Sequence, residues 1–359
     1  MRAAVCYEFG QPLVIEDIAI DLPKVGEVRV RVSACGICHS DLHRLRGERG
    51  GMLPMVAGHE AAGIIEELGP GVSGFALGDR VIVSLLRSCG RCFYCQSGSP
   101  HHCEAVFALQ HETRLHTNDG VPVVQGINVG AFAEQVVVDQ SQLVKAPDDV
   151  PLESVALLAC GVITGLGAVV NTAQVPTGSS VVVIGAGGVG MNAIQGARLS
   201  GAFPIVAVDV LDGKLEDARG FGATHGVNAA RPDAAQEVRA ISGARGADYV
   251  FVTVGSAQAA ELGLELVRTE GTLVLVGMPP TGVSLSLPVF ETVNRSVRIL
   301  GSKMGSTRLS IDVPRLLDLY QAGQLQLDEL ITARYPLEQI NEAIASVERG
   351  EALRHVIVM

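Results

Sequence analysis

The chain has 359 residues, 48% apolar and 18% charged, with 42 glycines, which fits about two compact, turn-rich α/β domains. A net charge of −11 with no run of basic residues argues against nucleic-acid or anionic-membrane partners. The absence of tryptophan and an aromatic content of 4% argue against a lectin-like or base-stacking surface as well.

The N-terminus, Met1-Arg-Ala-Ala-Val-Cys-Tyr-Glu, shows no leader pattern, and no apolar stretch reaches ~18 residues. A soluble, cytoplasmic protein is expected. Up to about residue 155 the chain reads as β. Short runs such as Val28–Val32, Ala61–Leu68 and Asp79–Val83 alternate with Gly, Pro and Asp, as in small barrels or sandwiches. Cys6, in the first of these strands, reads as a small buried hydrophobe. Helical periodicity begins near Pro151, through Leu152–Leu158 and on past Cys160.

From Ser180 strands and helices alternate: strand Val181–Ile184, helix Met191–Leu199, strand Ile205–Asp209, helix Lys214–Phe221, then strands Asp248–Thr253 and Thr272–Val276. Such alternation predicts a doubly wound parallel sheet. Helices Pro314–Gln321 and Leu337–Arg349 and a strand His355–Val358 close the chain.

Gly185-Ala-Gly187-Gly188-Val189-Gly190 follows one of these strands and opens a helix. In that setting the glycines allow a tight turn, and main-chain N–H groups can approach a pyrophosphate at the helix N-terminus. Asp209 ends the next strand, nineteen residues beyond Gly190. A carboxylate there accepts from both ribose hydroxyls and repels a 2′-phosphate, which favours NAD over NADP. The plainer alternative is an ordinary strand-end aspartate beside a glycine-rich turn.

Eight cysteines in a large chain without a secretion signal read as thiolates rather than disulfides. Cys89, Cys92, Cys95 and Cys103 are separated by two, two and seven intervening residues, a spacing that closes an S4 cage around one zinc and leaves it no open position. Cys35-Gly-Ile-Cys38-His39-Ser40-Asp41-Leu-His43, Gly58-His59-Glu60 and Cys160 are less telling alone. Cys35 and Cys38 fit a redox pair or half a zinc ribbon, and His59 fits a satisfied core histidine.

Together, Gly58-His-Glu-x-x-Gly63 with Gly69 and Val72, Gly78-Asp-Arg-Val81, the four-cysteine loop, Cys160 and Gly185–Gly190 resemble the zinc-dependent alcohol dehydrogenases of the medium-chain dehydrogenase/reductase superfamily. The resemblance spans essentially the whole chain. It is strongest toward the glutathione- and mycothiol-dependent formaldehyde dehydrogenase branch.

The fold it implies is a GroES-like, partly open β-barrel catalytic domain with two zinc sites (1–160 and 297–359) around a six-stranded Rossmann domain (161–296). Cys38, His59 and Cys160 match the catalytic zinc ligands, and Cys35 becomes a packed thiol. Asp41 matches the carboxylate that orients the ligand histidine, and Glu60 an acid behind the metal. Ser40 and His43 match a proton relay. His39 and Arg354 match pyrophosphate contacts, Lys214 a ribose contact, and Thr164 and Val189 flank the nicotinamide.

The implied reaction is reversible hydride transfer between an alcohol and NAD through a zinc-bound alkoxide, with metal and cofactor converging in one cleft. A homodimer or homotetramer is implied. Leu85 and Met278 fall at pocket-lining positions whose apolar character suits a medium or bulky alcohol, aldehyde or ketone. A thiol-adduct formaldehyde dehydrogenase is the alternative, although no positive charge follows Cys103 until Arg114. A non-catalytic protein that binds zinc and NAD is the distant one.

Overall fold

The computed structural model describes residues 1–359 as two compact units, one built from Met1–Cys160 and Arg308–Met359, the other from Gly161–Thr307. No single helix is long and apolar enough to cross a membrane.

The first unit is organised around one long strand, Glu27–Gly36. Its alternation sends Val28, Val30 and Val32 into the core, while Arg29 and Arg31 pair outward with Glu67 and Glu66, each at 2.9 Å. The strand outlasts the predicted Val28–Val32 because its partners do. Cys35 pairs with Ala61 and Ile357, and Gly36 pairs with Glu60 and Val356. Three strands, Glu27–Gly36, Glu60–Leu68 and Arg354–Val358, therefore converge at one end of this seven-stranded sheet. Cys38, His59, Glu60 and Arg354 all lie at that end. A second, six-stranded sheet completes the unit, and buried aliphatic residues with Phe132 fill the core. Each such side chain contributes about 1.5–3 kcal/mol on burial.

The second unit holds a six-stranded sheet of parallel pairings in the spatial order His225–Asn228, Ile205–Asp209, Val181–Ile184, Ala247–Val252, Val267–Leu275, Arg298–Gly301. Counted along the unit this is 3-2-1-4-5-6, the doubly wound order whose switch point lies beside the first strand. Val181–Ile184 is buried along its whole length, as a central parallel strand must be.

Three expectations are corrected. The second unit runs to Thr307, not 296, because Arg298–Gly301 forms the sixth strand against Thr272–Leu275. The helix at Leu152 does not run through Cys160: Leu152–Ala156 tightens into a 3-10 turn, Leu157–Ala159, and Cys160 leaves helical geometry at φ −148°, ψ −69°. Pro314 lies inside helix Leu309–Gln321 rather than opening it. The turn before it is held by Asp312, which accepts from the Arg308 N–H at 2.8 Å.

Candidate active site

Cys38 ends the long strand's extension and N-caps the short helix His39–Leu45. Its backbone N–H donates to Asp41 Oδ2 at 3.2 Å. Asp41 Oδ1 accepts from the Gly58 N–H and from His59 Nδ1, both at 2.9 Å. Three N–H donors thus neutralise a carboxylate with no exposure. Gly58 has φ +92°, and a Cβ there would stand 2.7 Å from the Phe132 backbone nitrogen, so only glycine delivers His59 at this point.

Because a carboxylate only accepts, His59 donates from Nδ1, and in the neutral ring the lone pair sits on Nε2. Nε2 is buried and meets no hydrogen-bond partner. Donor atoms of Cys38, His59, Glu60 and Cys160 lie within 4.8 Å of one another, all four residues buried. A hydrogen bond from Cys160, and then the charges of Arg354 and His59, hold the Cys38 thiol well below its usual range despite burial. The same bond pushes Cys160 up. Burial raises the Glu60 carboxyl to about 7 against the pull of Arg354, whose Nη2 stands 3.2 Å away without hydrogen-bond geometry.

Ser40 is half-buried and His39 exposed. Ser40 and His43 share one helix at i, i+3, hence one face. His43 Nδ1 is bonded to Glu48, a residue no motif had marked. By the same rule Nδ1 donates and Nε2 is left to accept. Cys35 is fully buried, outside the cluster, and its thiol is pushed up by burial.

In the four-cysteine loop all donor sulfurs also lie within 4.8 Å of one another, and none is in a disulfide. The Cys89 N–H donates to Cys103 Sγ and the Cys92 N–H to Cys89 Sγ, each at 3.3 Å. Backbone amides of Cys95 and Glu104 lower the Cys92 thiol to about 6, while burial and the neighbouring Cys92 raise Cys95 to about 12.

At the glycine-rich turn, Gly185 has φ +97°. A Cβ on Gly190 would come 1.8 Å from the Gly185 carbonyl oxygen, so the helix packs directly on the turn. A Cβ on Gly187 would meet nothing within 4 Å, and Gly187 caps helix Gly188–Leu199. Asp209 accepts from the Ala186 N–H at 2.7 Å and the Leu211 N–H at 3.1 Å. Val189 and Lys214 are half-buried, and Thr164 Oγ1 lies 3.6 Å from the Met304 sulfur.

Two family models match: an alcohol dehydrogenase GroES-like domain over residues 24–148 and a zinc-binding dehydrogenase over 188–322. An alcohol dehydrogenase class-3 from Cereibacter sphaeroides is 36% identical over 373 residues, covering 99% of each chain. The chain belongs to the zinc-dependent alcohol dehydrogenases. An S-(hydroxymethyl)glutathione dehydrogenase from Paracoccus denitrificans is 35% identical over 372 residues, again with 99% of each chain covered. The crystal structure of a benzyl alcohol dehydrogenase from Acinetobacter calcoaceticus matches with TM-score 0.94 and 32% identity, over 100% of this chain and 99% of that one.

The residues of this alcohol dehydrogenase fit the groups its family implies. An orphaned imidazole nitrogen between two thiols is a soft N/S donor set suited to zinc. Open space at Gly187, at a helix N-terminus, suits a pyrophosphate. Arg354, matched to a pyrophosphate contact, also faces Glu60, a pairing across 294 positions that no local pattern could announce. Leu85 packs against the first unit's core, and Met278, in the second unit, is 62% exposed.

Proposed function

We propose that the chain interconverts an alcohol with its aldehyde or ketone, using NAD and two zinc ions, one held by Cys38, His59 and Cys160 and one by Cys89, Cys92, Cys95 and Cys103. The carrying observation is His59: Asp41 fixes its Nδ1 as donor and leaves Nε2 buried, unpaired and among thiols. When bound, zinc supplies Lewis acidity that lowers the proton affinity of an alcohol oxygen, and NAD supplies the hydride acceptor. Two thiolates balance the dication, and Asp41 fixes the ring's orientation and tautomer, so that Nε2 faces the thiols. Ser40 takes the alcohol proton, since a hydroxyl accepts and donates at once. His43, oriented by Glu48, accepts it at Nε2 and passes it to solvent.

Asp209 supports NAD, because a 2′-phosphate would face its carboxylate. Contacts from His39, Thr164, Val189, Lys214 and Arg354 to the cofactor complete this reading. Exposed Val289, Phe290 and Val293, near the edge strand Arg298–Gly301, support a homodimer or homotetramer joined through that edge.

The apolar Leu85 and Met278 suit a medium or bulky alcohol. The name of the Paracoccus denitrificans relative suggests a second reading, oxidation of a thiol–formaldehyde adduct. Against it, Arg114, the first cation after Cys103, is 1% exposed and doubly bonded to Glu27 at 2.8 and 2.6 Å, so it offers nothing to a substrate carboxylate. The test is NAD reduction across primary, secondary and aromatic alcohols, with and without formaldehyde plus glutathione or mycothiol. Turnover with free alcohols is expected. Turnover only with the thiol present would replace the first reading by the second, and no turnover with any substrate would leave a non-catalytic zinc protein.

A further inference from the structure

The root of the four-cysteine loop is joined to Cys160 by a buried polar network. Ser84, with no exposure, follows strand Arg80–Val83. Its Oγ donates to the Ala159 carbonyl at 2.7 Å, the carbonyl immediately before Cys160. That bond sits at the point where the helix breaks and Cys160 departs from helical geometry. The Ser84 carbonyl accepts from Gln142 Nε2 at 2.7 Å, and its N–H donates to the Gln142 carbonyl at 2.9 Å.

Gln142 is fully buried, and every hydrogen-bonding position of its amide is used. Nε2 also donates to the Asn128 carbonyl at 3.2 Å; Oε1 accepts from Arg87 Nε at 2.7 Å and from the Asp139 N–H at 3.2 Å. Arg87 is 7% exposed and sits two residues before Cys89. It donates from Nη2 to the Asn128 carbonyl at 2.9 Å, its Nη1 has no partner, and its guanidinium lies 5.9 Å from the ring of Phe107, beyond Cys103.

Asn128 donates in turn to the Leu85 carbonyl at 3.1 Å. Ile127 and Asn128 both occupy the left-handed region, at φ 48° and 65°. For a β-branched residue such a conformation is strained and persists only where its surroundings over-determine it. Hydrogen bonds from Arg87 and Gln142 to the Asn128 carbonyl supply that restraint.

We propose that Ser84 and Gln142 are positioning residues that fix the backbone carrying Cys160 and couple it to the root of the four-cysteine loop. This rests on reading Cys38, His59 and Cys160 as metal ligands. Partners that orient ligands are worth about 10–100-fold in metal affinity.

The experiment follows zinc release from the full-length holoprotein into excess chelator. A Cys160→Ser variant identifies the step that belongs to the Cys38–His59–Cys160 site. Ser84→Ala is expected to speed that step about tenfold. Ser84→Thr, which keeps the hydroxyl, restores the wild-type rate. Val83→Ala, a neighbouring truncation at a fully buried position outside the network, lowers Tm but leaves the rate unchanged. Gln142→Met, which removes the hub, speeds both steps. Equal acceleration by Val83→Ala and Ser84→Ala, or none by Ser84→Ala, overturns the proposal alone. A Gln142→Met effect confined to one site overturns the coupling. A wild-type protein with one zinc per chain overturns the metal reading and this proposal with it.

Discussion

At the scale of single residues, the proposed reaction rests on the tautomer of His59 and the hydroxyl of Ser40. Ser40→Ala should lower turnover by at least about 10²-fold, the contribution of a positioned proton acceptor, with zinc content and NAD affinity unchanged. Steady-state kinetics beside metal analysis checks this; intact turnover would remove Ser40 from the relay. Asp209→Gly should relax the preference for NAD, since like charges set against each other cost several kcal/mol and 1.4 kcal/mol is tenfold. The ratio of kcat/KM for NAD and NADP is the readout, and an unchanged ratio would return Asp209 to a plain turn-capping role.

Residue identities at the site were legible to the extent that they sat in tight local patterns. Cys38-His39-Ser40-Asp41 and Gly58-His59-Glu60 are each compact in sequence, and the strand pairing Gly36 with Glu60 brings both to one place. Choosing Cys38 over Cys35 rested on resemblance. The structure supplies the reason: Cys35 is the strand residue opposite Ala61 and Ile357, fully buried, while Cys38 lies beyond the strand's end. The pairings of Ser84 with the Ala159 carbonyl and of Glu60 with Arg354, a residue named only by resemblance, were invisible because each joins distant stretches of chain, and Glu48 belongs to no motif.

Among elements, the Rossmann strands owe part of their registration to Asp248. It accepts from Ser180 N–H and Oγ, both at 2.7 Å, and from Arg268 Nε at 2.6 Å, tying the starts of Val181–Ile184 and Ala247–Val252 together. Burial alone would raise its pKa, but the Ser180 hydrogen bonds and the Arg268 pair outweigh it and hold the carboxyl below its ordinary 3.8. A depressed folded value contributes stability above the unfolded pKa, and that contribution is lost as pH falls through the folded one. Asp248→Asn should therefore lower the urea midpoint at neutral pH, with the gap to wild type narrowing below about 3.8. A gap independent of pH would show that the carboxylate's charge contributes nothing.

Elements were readable from the sequence where hydrophobic period and turn chemistry agreed, as in Val181–Ile184 and Ile205–Asp209. They were misplaced where tertiary contacts override local preference. Ser84 takes the Ala159 carbonyl and ends a helix whose apolar period continues. The strand Arg298–Gly301 is short and half-buried, and only its pairing with Thr272–Leu275 assigns it to the second unit.

Across the whole molecule, the proposed function divides the labour between two cysteine clusters. The four-cysteine loop is only partly buried, whereas the Cys38–His59–Cys160 cluster is buried throughout. Cys92→Ser should cost thermal stability or assembly before it costs hydride transfer, because a closed S4 site has no position for substrate. Thermal scans of protein with matched catalytic zinc check that order. Loss of turnover with unchanged Tm would reverse the division. Zinc analysis of wild type beside Cys160→Ser decides whether Cys38, His59 and Cys160 hold a second, reactive zinc. Two zinc ions per wild-type chain and one in the inactive variant are predicted; equal zinc in both would show that these three residues hold no zinc.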